Sequence, residues 1–280
     1  MPEEDPGKRA FALYQRYLQT NDLRDLRESV ELLRHAAAAS PANPARFANL
    51  GAGLVMLFDR EGGPELLPEA VAAAERAVKL SPRSPAYLSN LSTALELLFQ
   101  QTSDDETLAR AVRTARAAVE STPDGDALLT MRLSNLCNTL RSSYLRGGDE
   151  AAIVEAVTAA ERAARLLTGP GDEASRLLSN LANARWDLAH HRVDPALLSA
   201  AVATFQDALD ATPHDHPNRP DVLANLAVRR GAVAANDADA DAAVELARQA
   251  LNQTDALDPD RPHKESCLAS TLRTRYNHTG

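Results

Sequence analysis

One dipeptide returns along this chain at nearly constant spacing: Asn49-Leu50, Asn90-Leu91, Asn135-Leu136, Asn180-Leu181 and Asn225-Leu226, in steps of 41, 45, 45 and 45 residues. A self-similar period of roughly 20–50 residues marks a repeat architecture, in which each unit buries its apolar face only by stacking on its neighbours. A weaker sixth copy follows, since Cys267-Leu-Ala-Ser-Thr-Leu-Arg-Thr-Arg-Tyr276 aligns without gaps on Asn135-Leu-Cys-Asn-Thr-Leu-Arg-Ser-Ser-Tyr144.

A second ladder runs in parallel: Ser29-Val30, Ala70-Val71, Ala111-Val112, Ala156-Val157, Ala201-Val202 and Ala243-Val244. Seven residues after each first member stands another small residue, Ala36, Ala77, Ala118, Ala163, Ala208 and Ala250. Seven residues are two helical turns, so both members of a pair face one neighbour. Five residues further on, proline follows in four copies (Pro41, Pro82, Pro123, Pro213) and ends the helix.

Each unit therefore reads as two helices, the first carrying Asn-Leu and the second the small-residue pair. Turn residues separate them at Asn21-Asp22, Gly62-Gly63, Ser103-Asp104, Gly147-Gly148-Asp149 and Asn236-Asp237, and Asp at such sites caps the following helix. The pattern predicts hairpins at about 8–39, 44–80, 84–121, 126–167, 172–211 and 217–254, with a terminal helix at 260–277 and a flexible N-terminus over residues 1–7. The expected fold is all-α, a single α-solenoid wound as a right-handed superhelix of about six hairpins. Both ends read as unfinished, which raises the expectation of self-association through them or of a longer parent chain.

Composition narrows the function. With a net charge of -9 the chain lacks the basic footprint of nucleic-acid binding. The longest apolar run, Leu50 to Phe58, is too short to span a bilayer. The start, Met1-Pro-Glu-Glu-Asp-Pro-Gly7, is acidic with no apolar stretch behind it, so no secretory signal is expected there. Cys137 and Cys267 are about three repeats apart, so free thiols and a cytoplasmic setting are expected.

These residues resemble the tetratricopeptide repeat family. The small pair at spacing seven followed by proline matches its second helix, and Leu50-Gly51 its first. The units exceed the family's usual 34 or so residues. They are similar to the extended repeats of kinesin light chains, and more so to those of bacterial proteins associated with caspase-like CHAT proteases. Tyr87-Leu-Ser-Asn-Leu91 and His214-Asp-His-Pro-Asn-Arg-Pro220 carry that closer likeness. The resemblance implies a concave groove lined by the Asn positions.

Asn49, Asn90, Asn135, Asn138, Asn180, Asn183 and Asn225 are thus candidate partner-binding residues. An Asn amide both donates and accepts, so a row of them can pair with a peptide main chain. The same register also suits bonding between neighbouring helices. Arg185 and Arg230 interrupt the apolar series Leu54, Leu95, Leu140. Arg185, Trp186 and Arg229 are candidate recognition residues, because Arg and Trp favour binding hot spots; packing of Trp186 and snorkelling of the arginines is the competing reading. His214, Asp215 and His216 lie in a loop without further obvious ligands, so no metal site is expected. The sequence has no phosphate loop and no metalloprotease helix. The functional expectation is a non-catalytic scaffold, without cofactor, that takes a protein or peptide in its groove. The alternatives are the regulatory arm of a CHAT-like protease system, or a structural oligomerisation module.

Overall fold

The computed structural model of the chain describes residues 5–279, with side chains to residue 277. Among the described residues there are thirteen helices and no strand. By packing, the chain divides between Ser143 and Tyr144 into two units.

The first unit holds α1 (Pro6–Thr20), α2 (Leu23–Ala39), α3 (Pro44–Glu61), α4 (Leu66–Leu80), α5 (Pro85–Thr102), α6 (Asp105–Glu120) and most of α7 (Leu129–Gly147). From α1 to α6 each helix packs on the next, and α3 also touches α5. The second unit holds the end of α7 and then α8 (Glu150–Arg165), α9 (Asp172–Arg192), α10 (Pro195–Ala211), α11 (Arg219–Ala232), α12 (Asp237–Asn252) and α13 (Arg261–Thr279). From α8 onward the packing is again consecutive, and α13 lies against both α11 and α12. Helix pairs stacked in sequence order are the construction of an all-α, tetratricopeptide-like solenoid.

Local chemistry sets the boundaries. Proline opens α1, α3, α5 and α10 at the first helical position, where its missing N–H would be unpaired in any case. Asp22, Asp104, Asp149 and Asp194 cap the helices that follow them by accepting first-turn N–H groups. The cap role expected of Asp22, Asp104 and Asp149 is therefore what they perform. Helix α1 begins at Pro6, capped by Asp5, inside the stretch for which flexibility is expected; residues 1–4 lie outside the described residues.

The small-residue ladder is the seam of the packing. Ser29, Ala36, Ala70, Ala77, Ala111, Ala118, Ala156, Ala163, Ala201, Ala208, Ala243 and Ala250 are all at most 2% exposed. Residues of this size let helix axes approach, and Ser29 Oγ uses the closeness to donate 2.8 Å to the Ala10 carbonyl. In the first unit the second helices of successive hairpins are also tied by ion pairs. Arg34 on α2 grips Glu69 on α4 bidentately at 2.6–2.7 Å, and Arg110 on α6 pairs with Glu75 on α4.

Candidate partner-binding face

In the first unit the Asn ladder occupies the partly open side of α3, α5 and α7. Asn49 and Asn138 are exposed, and Asn90 and Asn135 half-buried. Among the described residues none of these four side chains makes a hydrogen bond within the chain, and neither does that of Asn225, half-buried on α11 of the second unit. Asn183, on α9, donates 3.0 Å to the Ser179 carbonyl of its own helix. Asn180 is half-buried and engaged.

Next to Asn49 the first unit opens into a cavity of about 290 Å³, walled by Phe11 and Tyr14 of α1 and by Ala52, Gly53 and Met56 of α3, with Leu33 of α2 among its lining. It exists because α3, the first helix of the second hairpin, carries Ala52-Gly53 where α5 and α7 carry Thr93-Ala94 and Asn138-Thr139. That size difference at one repeat position was the available sequence signal. The periodic reading passed over it because it sought what recurs.

Glu96 on α5 is a second feature missed in the sequence. Its Oε1 accepts 2.6 Å from Ser142 Oγ and 3.5 Å from Gln100, while Oε2 is buried without a hydrogen-bond partner. Burial holds its carboxyl above the usual range, partly offset by the Ser142 hydrogen bond.

In the second unit the candidate recognition residues are turned inward. Trp186 is 4% exposed and packs with Phe205, Leu223 and Leu226. Arg229 stacks over its ring at 4.8 Å, and His190 meets its edge at 4.8 Å. Arg185 reaches Thr204 Oγ1 and Glu161, both at 2.9 Å, tying α9 to α10 and α8. The recognition role expected of Trp186 is corrected by its burial: the indole is a core side chain. Arg185 sits where other repeats have Leu because it bonds neighbouring helices instead of filling volume.

Both cysteines are free and buried. Cys267 Sγ lies 3.7 Å from His263 Nε2, but burial pushes its thiol up, against thiolate formation. His216 Nε2 faces Asp172 at 3.1 Å, and no group of three or more His, Cys, Asp or Glu among the described residues could hold a metal ion. No described helix is long and apolar enough to cross a membrane.

No protein-family model matches the sequence, and no curated protein matches it. Solved structures share its fold. The type IV pilus biogenesis factor PilW is similar with a TM-score of 0.62 at 14% identity, over 94% of this chain and 98% of PilW. PilF of Pseudomonas aeruginosa gives 0.56 at 15%, over 94% and 99%. The S. pombe nuclear import adaptor Nro1 gives 0.54 at 16%, over 96% and 99%. At such identities the likeness is one of fold, and the fold is tetratricopeptide-like.

Proposed function

We propose that this chain is a non-catalytic, cytoplasmic protein-interaction scaffold that holds an extended segment of a partner protein against the Asn-bearing side of its first-of-pair helices. One observation carries the reading: Asn49, Asn90, Asn135 and Asn138 recur in register in the first unit, yet their side-chain amides make no hydrogen bond among the described residues. Amides in a row that bond nothing internal are free to pair with main-chain N–H and C=O groups of a bound segment. Nro1, whose fold is similar, is a nuclear import adaptor. The raised thiol of Cys267 argues against a nucleophile, and free cysteines suit a reducing compartment.

The test is the double variant Asn135→Ala/Asn138→Ala, with peptides selected from a random 12-residue library on the wild-type chain as ligands. Losing two hydrogen bonds of about 0.5–1.5 kcal/mol each weakens binding roughly 5- to 150-fold. The melting temperature should stay within a degree or so, since neither side chain fills the core. Unchanged affinity with a lowered melting temperature would make these residues structural.

A further inference from the structure

We infer that the apolar cavity of the first unit is a socket for Leu257 of a second copy, so that the chain associates head to tail.

Leu257 is 92% exposed, the highest value among the exposed large hydrophobic side chains of the described residues. It is held out on a fixed loop between α12 and α13. Its own N–H donates 2.9 Å to Asp255 Oδ1, the Asp258 N–H donates 3.1 Å to the Asp255 carbonyl, and the Asp260 N–H donates 2.8 Å to Asp258 Oδ1. A rigid loop loses little entropy when it docks. An exposed leucine held by its own backbone turn has no internal packing role, and it is ringed by Asp255, Asp258 and Asp260.

The socket is complementary in shape and charge. At about 290 Å³ it lies near the lower limit of small-molecule pockets and has room for one or two aliphatic side chains. Phe11 at its wall is 63% exposed. Helix α1, which forms one wall, is basic although the whole chain is acidic. Helix α1 carries Lys8, Arg9 and Arg16 and no acidic residue. Arg9 and Arg16 face Glu28 and Asp25 of α2, but Lys8, one turn before Phe11, makes no ion pair among the described residues. Arg60, one turn beyond Met56 on α3, makes none either. Of the nearby carboxyls, Asp5 is bound by Arg46, and Asp59 stands next to Arg60. A leucine among aspartates therefore meets an apolar socket with the cation of Lys8 beside Gly7 of its lining.

Knob and socket are different surfaces, so the contact is heterologous. Each copy then retains one unused knob and one unused socket, and growth continues unless a ring closes. One buried leucine and a few rim charges give a small contact, so association is expected at roughly tens to hundreds of micromolar.

The test is sedimentation velocity on the full chain across that concentration range, with Leu257→Asp to remove the knob and Ala52→Phe to fill the socket. Both positions are exposed, and circular dichroism checks each fold. The wild type should form dimers and larger species, weakened several-fold by Lys8→Glu and by added salt. Each single variant should remain monomeric. Their equimolar mixture should give a dimer and nothing larger, because one intact knob and one intact socket remain. A wild type monomeric throughout, single variants that associate like the wild type, or a mixture without dimers would each overturn the inference. None of these results bears on peptide binding by Asn135 and Asn138, so the two readings fail separately.

Discussion

Val193 sits at φ 53° and ψ 43°, in the left-handed region, at the end of α9. Asn21 and Ser103 end α1 and α5 in the same way, but their side chains are small and polar. A β-branched side chain there crowds the following carbonyl and costs about 1–2 kcal/mol. Val193 is 84% exposed, so packing returns little. Val193→Gly removes the clash and adds a smaller chain-entropy cost. It should stabilise the protein by about 0.5–1 kcal/mol, read as a raised urea midpoint with unchanged slope; a fall in midpoint would show that Val193 contributes packing. Residues of this kind were the least legible in the sequence. The Asn ladder stood out because it repeats. Trp186 did not disclose its direction, because the same repeat position holds Val55, Glu96, Arg141 and Gly231.

At the scale of helices the legibility was high. Proline at first turns, Asp caps and the small-residue pairs act over a few residues, so periodicity alone located them. The pairs also limit what the helices tolerate. Ala156 is fully buried on α8. Ala156→Leu forces extra carbons into a close-packed seam and should destabilise by about 1–3 kcal/mol. Val154→Leu, two residues away on a 37% exposed position, should change stability by less than about 0.5 kcal/mol. Equal thermal shifts for the two variants would mean that the seam is loose.

Over the whole molecule, charge couples stability to pH. Asp5, Asp22, Asp25, Asp104, Asp126 and Glu150 have carboxyls held below their ordinary range, by Arg partners in four of them and mainly by Thr107 and the Leu128 N–H in Asp104 and Asp126. Asp22, bonded by Arg24, falls to about 2. A carboxyl lowered on folding stabilises the fold above its unfolded value, and that stability is lost as pH falls through the folded value. Glu96 and Asp59 run the other way: burial raises them, and their penalty is relieved in acid. The six outnumber the two, so the melting temperature should fall steadily from pH 5 to pH 2, and less steeply in high salt because most of these pairs are at the surface. A melting temperature that rose in that interval would show that buried carboxyls dominate.

The repeat period, the pairing of helices, their caps and the residues of the seam were determined by the sequence itself, since each rests on the spacing of a few residue types along one helix. Which amides stay unbonded, that Ala52-Gly53 leaves a cavity beneath Phe11, and that Trp186 turns into the core under Arg229 were decided only by the tertiary structure. Those properties depend on which side chains from separate helices fill one volume, and residues far apart in the chain share that volume only after the helices have packed.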